Sequence, residues 1–308
     1  MADTNKVPGS AGGKRVDQPT GTETVGHEWD GIEELNTPLP RWWLWSFYAT
    51  IVWGVAFMVF YPAWPLKDRA TEGLLGWTST GELEQEMAEQ QQRMAPIRAA
   101  IAGADIATLQ NNPALFSQAV EGGRAAFRMH CVQCHGSGAA GSPGYPNLND
   151  DDWLWGGRLE DIHFTITHGI RQPEHAPTRI SQMPAFGQAL PADQIADLTS
   201  FVRAVSGQQG ADEAARRGQA LFRDNCAACH GARAEGNRDL GAPNLADGIW
   251  LYGGDAQSIQ NTIANSRYGV MPRWDNRLDP VTIKMLAAYV HSLGGGESRM
   301  GQVETASR

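Results

Sequence analysis

A five-residue pattern of two cysteines and a histidine occurs twice in the chain. The copies are Cys131-Val-Gln-Cys134-His135 and Cys226-Ala-Ala-Cys229-His230, and together they use all four cysteines of the protein. This pattern is the attachment signature of c-type haem. Two thiols three positions apart lie on one side of a helical turn, where they can form thioethers with the two vinyl groups of one porphyrin, and the following imidazole is offered to the iron. The sequence therefore predicts two covalently bound haem c groups, with Cys131, Cys134, Cys226 and Cys229 as attachment residues and His135 and His230 as iron ligands.

Other uses of paired cysteines fit the sequence poorly. A thioredoxin-like redox pair requires a βαβ setting, and a four-ligand zinc site requires further cysteines or histidines at short spacing. Neither accompanies the two motifs. The length of 308 residues favours about two domains, and the net charge of -9 argues against a nucleic-acid partner.

A membrane anchor is predicted near the start of the chain. Residues 42–64 contain no charged side chain, and 23 residues at ~1.5 Å each give ~34 Å of helix, enough to cross a bilayer core. Tryptophans stand at both ends of the run, as in membrane-interface belts. A cleaved signal peptide is disfavoured because no small-residue cleavage site follows the run. We therefore interpret 42–64 as a retained transmembrane helix.

The flanking segments are assigned from composition. We interpret residues 1–41 as a cytoplasmic N-terminal segment, disordered to about residue 26. The basic residues flanking the span do not decide its orientation, so the periplasmic placement of the C-terminal part follows from haem attachment on the outer side of a bacterial inner membrane. Residues 65–112 are a connector with a polar helix over 82–94 that Pro96 is expected to interrupt. Residues 297–308 are predicted to be a disordered tail.

The chain beyond residue 113 repeats itself. Gly123-x-x-x-Phe127 corresponds to Gly218-x-x-x-Phe222, and both copies continue with a Pro-Asn-Leu, a Trp-rich and a Met-Pro motif. The copies are predicted to be two domains, residues 113–208 and 209–296. Corresponding residues of the two copies are 97 positions apart at the Trp-rich motif but 88 apart at the methionines. The difference places a nine-residue insertion around residues 171–179 of the first copy.

Each copy resembles a class I cytochrome c domain over its whole length. The resemblance implies a mainly α fold in which the glycine helix crosses the C-terminal helix, and it implies Met183 and Met271 as the sixth iron ligands. It also implies that the carbonyls of Pro146 and Pro243 accept the Nδ1 protons of the ligand histidines. The sequence leaves open which methionine serves which haem. The remaining histidines of the first copy are interpreted as surface residues: His130, His163, His168 and His175.

The order of segments is similar to that of one larger family. The block at residues 26–43, a single span and two tandem cytochrome c domains resemble the dihaem subunit III (FixP/CcoP type) of cbb3-type cytochrome c oxidases. The resemblance implies a bacterial inner-membrane protein with periplasmic haem domains and no catalytic site of its own. It would take electrons from a periplasmic or membrane-bound donor cytochrome c. Its partners would be a monohaem cytochrome c subunit and the catalytic haem-copper subunit, which reduces oxygen and pumps protons.

Alternative functions remain at this point. A dihaem cytochrome c peroxidase needs one open or bis-histidine haem, and a haem-based sensor needs a readily lost ligand and an output domain. An electron carrier of another respiratory or dehydrogenase complex would share the same domains. Two irons closed by histidine and methionine favour one-electron transfer. The acidic run Asp150-Asp151-Asp152 is a candidate docking surface for a basic donor.

Overall fold

The computed structural model describes residues 13–295, and its regular structure is mainly helical, as predicted. A two-stranded sheet, β1 (Thr24–Trp29) and β2 (Ile32–Leu35), precedes the helices. The helices are α1 (Arg41–Phe60), α2 (Ser79–Gly103), α3 (Pro113–His130), α4 (Val132–His135), α5 (Leu159–His168), α6 (Ala192–Val205), α7 (Glu213–Asn225), α8 (Ala227–His230), α9 (Ala256–Asn265) and α10 (Pro280–His291). Short 3-10 helices cover Ile106–Asn111 and Phe186–Gln188. The chain forms two compact parts that divide after Gln90.

The N-terminal part begins with a β-hairpin. Strands β1 and β2 pair antiparallel, with Trp29 opposite Ile32 across the turn Asp30-Gly31. Both turn residues have positive φ, 47° and 87°, as a two-residue type I′ hairpin turn requires. Arg15 forms an ion pair with Glu33. The prediction of disorder to about residue 26 is therefore wrong for residues 13–26; residues 1–12 and the predicted C-terminal tail at 297–308 lie outside the described residues.

Helix α1 has the properties of a membrane span. It is 20 residues long, ~30 Å, with a mean hydropathy of 1.6 over its most apolar window and no buried side chain. Among residues 13–295 it is the one helix long and apolar enough to cross a bilayer. The helix ends four residues before the predicted limit at 64. Tyr61 is extended (φ -121°, ψ 158°) because the residue before a proline, here Pro62, is sterically disfavoured in the helical region.

Helix α2 continues through Pro96, where the sequence predicted an interruption. A proline inside a helix costs about 3 kcal/mol, so tertiary contacts must offset that cost. Beyond Pro96, Ile101 is fully buried in the core of the C-terminal part. Lys284 donates to the carbonyls that end the helix, and Arg98 forms an ion pair of 2.6 Å with Asp279.

The C-terminal part contains two packed helical units. The first unit consists of residues 113–179 and 269–295, in which α10 packs against α3 and α5. The second unit consists of residues 180–268, in which α6 packs against α7 and α9. The second unit is thus continuous in sequence and is inserted between the two segments of the first. The predicted boundary at 208/209 marks the sequence repeat but does not separate these packed units.

Each unit contains one close helix crossing at a glycine. A Cβ on Gly123 would overlap the backbone carbonyl of Met285 in α10, and a Cβ on Gly218 would overlap that of Asp197 in α6. The glycine helix therefore does cross a C-terminal helix, as the cytochrome c resemblance implies. In both units, however, the crossing partner comes from the other sequence copy.

The nine-residue insertion lies where the chain passes between the units. Ile170 forms backbone bridges with both Arg179 and Met271. The Arg171 side chain donates to the carbonyls of Gly269 and Ser181, both at 2.7 Å. The insertion thus connects the exit of the chain from the first unit with its return.

Candidate haem-binding sites

The first unit contains an open apolar cavity beside the first cysteine motif. Cys131 and His135 line the cavity together with Met271. Aromatic and aliphatic side chains form most of the remaining wall, among them Phe127, Trp153, Trp155, Ile162, Trp274 and Leu286. The structure therefore brings the methionine of the second copy to the histidine of the first.

The second unit pairs the other two candidate ligands. His230 is 8% exposed, and Met183 packs with Cys226 against the core cluster that contains Phe222. The Ser266 hydroxyl, just after α9, donates to the Met183 carbonyl at 2.6 Å. Met271 thus lines one cavity with the histidine of the opposite copy, and Met183 packs in the unit that contains the second cysteine motif. The sequence had left open which methionine serves which haem.

Backbone carbonyls fix the orientation of both candidate ligand histidines. His135 Nδ1 lies 3.2 Å from the Pro146 carbonyl oxygen, and His230 Nδ1 lies 3.1 Å from that of Pro243. A carbonyl oxygen can only accept, so Nδ1 carries the proton and Nε2 keeps its lone pair for a metal. Burial lowers the pKa of both histidines, although the proline carbonyls partly oppose this. Both imidazoles are therefore held in the neutral form that binds iron.

The cysteines do not have the electrostatics of a redox pair. Burial, and to a smaller extent the partner cysteine, raises the pKa of Cys131 and of Cys226 to about 11. Reactive cysteines of Cys-x-x-Cys redox motifs have lowered pKa values instead. Cys134 and Cys229 are exposed. Neutral thiols beside an apolar cavity fit covalent haem attachment, and the residues present therefore fit the group.

Two of the histidines predicted to lie at the surface belong to a half-buried cluster. His168 Nδ1 lies 3.0 Å from His175 Nε2, and Arg273 donates to His175 Nδ1 at 2.7 Å. Arg273 also forms an ion pair of 2.8 Å with Asp275. The surface prediction fails because the insertion folds back onto the segment that follows Met271. The ion pair with Arg273 neutralises the carboxylate of this cluster, Asp275. His130 and His163, outside the cluster, are half-buried as well.

The acidic run at residues 150–152 is only partly exposed to solvent. Asp150 and Asp152 are half-buried, whereas Asp151 is exposed. Burial, with the nearby charges of Asp247 and Asp150, raises the pKa of Asp152 to about 6. Asp151 and Asp152 line a pocket with residues of the second unit, including Arg238 and Asp247. Much of this charge therefore faces the other unit, which weakens the hypothesis of a donor-docking surface.

Comparison with known proteins gives matches along most of the chain. Residues 21–68 match the family described as the N-terminal domain of cytochrome oxidase-cbb3, FixP. Residues 118–202 and 213–290 match the family described as cytochrome c oxidase, cbb3-type, subunit III. The two matches to the second family cover the two sequence copies.

Curated relatives are similar over nearly their whole length. The cbb3-type cytochrome c oxidase subunit FixP of Rhizobium meliloti is 48% identical over 284 residues, which cover 92% of this chain and 98% of the relative. Subunit CcoP of Cereibacter sphaeroides is 48% identical, with coverages of 91% and 97%. Subunit FixP of Azorhizobium caulinodans is 50% identical, with coverages of 92% and 96%.

Proposed function

Because this chain belongs to the subunit III family of cbb3-type cytochrome c oxidases, we propose that it binds two haem c groups and passes electrons between them towards the catalytic subunit. The family membership makes it a membrane-anchored, c-type cytochrome component of an oxidase. The hairpin and α1 fall within the matched N-terminal family domain. The proposal adds the number of haems, their ligands and the direction of transfer.

The observation that carries the proposal is the pairing of one histidine with one methionine in each unit. We assign His135 and Met271 to the haem attached at Cys131 and Cys134, because both ligands line one cavity. We assign His230 and Met183 to the haem attached at Cys226 and Cys229, because both lie in the second unit. Haem c bound there would supply a one-electron Fe(III)/Fe(II) couple.

The ligand sets determine which chemistry each site can support. A histidine and a thioether bound to the same haem iron would leave no open position on it, and the soft sulfur would favour Fe(II). Neither site then offers a position for peroxide or oxygen, which argues against the peroxidase alternative. The protein side chains hold the ligands, exclude water from the cavity and set the distance between the two haems.

The location and the partners follow from the same family. We propose that α1 crosses the bacterial inner membrane and that the residues after it lie in the periplasm, where c-type haem is attached. A donor cytochrome c would reduce this subunit. It would deliver electrons through a monohaem cytochrome c subunit to the catalytic haem-copper subunit, so this chain would have no oxygen-reducing site of its own.

The ligand assignment is tested in a chain that carries a single haem. Replacing Cys131 and Cys134 by alanine leaves only the haem at His230. The weak sulfur-to-iron charge-transfer band of the oxidised protein should then disappear with Met183→Leu and persist with Met271→Leu. Met285→Leu is a matched control, since Met285 is a buried methionine of α10 with no assigned ligand role. Loss of the band with Met271→Leu would contradict the exchanged ligands, and its persistence in both variants would contradict methionine ligation.

A further inference from the structure

Two aromatic residues at equivalent positions of the Trp-rich motif each contact a glycine of the other helical unit. Trp155 of the first unit lies against Gly241 of the second, where a Cβ would overlap its ring. Tyr252 of the second unit lies against Gly144 of the first, where a Cβ would be 3.3 Å from its Cε1. Trp155 and Tyr252 are 97 residues apart, which is the offset of the repeat at this motif. The contact between the units is therefore pseudosymmetric.

Each contacted glycine is two residues before the proline that orients a ligand histidine. Gly241 precedes Pro243, whose carbonyl accepts from His230. Gly144 precedes Pro146, whose carbonyl accepts from His135. A short covalent segment and one hydrogen bond therefore connect each aromatic contact to the iron ligand of the opposite unit.

Equivalent arginines cover both rings. The guanidinium of Arg179 lies 5.2 Å from the Trp155 ring centre, and that of Arg267 lies 5.0 Å from the Tyr252 ring centre. Arg179 Nε donates to the Thr165 hydroxyl, and Arg267 Nε donates to the Thr262 hydroxyl, both at 2.9 Å. A cation above the ring face stabilises the neutral ring and opposes its oxidation. The rings are therefore held in place and kept from acting as radical sites.

Trp155 has the more direct relation to a haem site. It is 8% exposed and lines the cavity that contains His135 and Met271. The same ring also contacts Gly241, on the segment that leads to Pro243. A single buried ring thus extends from the first cavity to the ligand loop of the second site.

We propose that Trp155, and its counterpart Tyr252, position the two haem sites relative to each other and provide the packed contact through which they are electronically coupled. The inference rests on the proposed two-haem function. In the transfer step, one electron leaves the ferrous iron of one site and reduces the ferric iron of the other, and neither ring is oxidised.

The test uses the full chain carrying both haems. After rapid partial reduction, the rate of electron equilibration between the haems is measured together with their reduction potentials and their magnetic coupling in the ferric state. Trp155→Leu should slow equilibration on the order of tenfold, because transfer steps of this kind depend steeply on geometry. Trp155→Phe should give an intermediate rate, and Tyr252→Leu a smaller loss that adds to that of Trp155→Leu. The charge-transfer bands should stay unchanged, because none of these variants replaces an iron ligand; the potentials are measured so that a change in driving force can be separated from a change in coupling.

A matched control distinguishes loss of the Trp155 contact from a general loss of packing around Arg179. Phe164 is the other ring covered by Arg179, at 4.9 Å, but it is 39% exposed and does not line the cavity. Phe164→Leu should leave the equilibration rate unchanged. An unaltered rate in Trp155→Leu with both bands intact would overturn the inference, as would an equal loss in Phe164→Leu. If Trp155→Leu does not take up haem, the Trp155→Phe rate decides. If the two haems of the unaltered protein are reduced but never exchange electrons, the proposed function fails together with the inference.

Discussion

Ile170 and Met271 exchange two backbone hydrogen bonds, each 3.0 Å long. These bonds join the point where the chain leaves the first helical unit to the point where it returns. The position of the Met271 backbone, and hence of the proposed iron ligand, therefore depends on residues 171–268 having folded back to this point. The first unit can be described as a cytochrome c domain that contains a second one within a loop.

The nested arrangement predicts which fragment is an independent unit. Residues 180–268 contain α6, α7, α9, the second cysteine motif and Met183. Expressed alone with a haem-attachment system, this fragment should carry one low-spin haem with the methionine charge-transfer band. Its helix order is a circular permutation of the sequence copy, and it keeps the packing of α6 against α7 and α9.

The matched fragment is the second sequence copy, residues 209–296. It has the same cysteine motif but lacks α6, which packs against α7 in the structure. We expect this fragment to unfold at a lower denaturant concentration and to lack the charge-transfer band. A stable, methionine-ligated haem in 209–296, with none in 180–268, would contradict the nested arrangement.

The glycine crossings predict unit-specific loss of stability. Gly123→Ala forces a methyl group against the Met285 carbonyl in the first unit, and Gly218→Ala does the same at Asp197 in the second. Overpacking of this kind costs ~1 to 3 kcal/mol. Gly123→Ala should lower the thermal transition followed at the His135 haem, and Gly218→Ala that at the His230 haem. Gly138→Ala is a control, since a Cβ there meets no atom within 4 Å. The prediction fails if both variants affect the same haem.

The raised pKa of Asp152 predicts a pH-dependent stability. Its folded-state value of about 6 lies above the ~3.9 of an unfolded aspartate, so the folded protein holds an extra proton between these values. This favourable contribution is complete below about pH 4 and is lost as the pH rises through about 6. Asp152→Asn stays neutral and should therefore stabilise the protein at pH 7, by about 1 kcal/mol or less because the side chain is partly exposed.

Urea unfolding of residues 65–308 at a series of pH values measures this effect. The difference between Asp152→Asn and the unaltered protein should grow from pH 4 to pH 7. The matched control is Asp151→Asn, the same change at the exposed neighbour. If the stability difference from the unaltered protein changed with pH equally in the two variants, burial of Asp152 would not be its cause.

The exposure of α1 predicts the effect of its removal. None of its side chains is buried within the chain, so the helix requires lipid or a partner to cover its apolar surface. A protein without residues 1–64 should be soluble, carry both haems and no longer copurify with the catalytic subunit. Deleting residues 1–40 keeps α1 and tests whether the hairpin is also needed. Normal copurification after removal of residues 1–64 would place the main contact in the haem-binding part.

The mainly helical fold, the apolar span and the two cytochrome c copies were predictable from the sequence, and the haem ligands stay predictions. The cysteine motifs, the apolar span and the Met-Pro pairs are short patterns whose residue types determine what they can bind. The hairpin also had a local signal, because Asp30-Gly31 is among the strongest two-residue hairpin sequences. That signal was missed because the segment was interpreted only from its overall composition. The helix through Pro96 could not be predicted, since the contacts of Arg98 and Ile101 with residues far along the chain offset a local cost.

The pairing of elements between the copies had no local signal. Helices α6 and α10 both end their copies, and each could pack on either glycine helix because Gly123 and Gly218 offer the same crossing. The choice between them depends on contacts such as Ile170 with Met271 and Trp155 with Gly241, which join residues distant in sequence. Periodicity and spacing describe each copy separately, so they do not contain this information.

The nested topology also sets the order in which the protein can mature during synthesis. A nascent chain emerges from its N-terminus, so residues 180–268 are complete before residues 269–295 leave the ribosome. The proposed haem site nearest the N-terminus would receive its methionine only after the whole inner unit has been synthesised. A chain that stops early, for example after residue 268, would retain a finished inner cytochrome and an outer one lacking both its last helix and its sixth ligand.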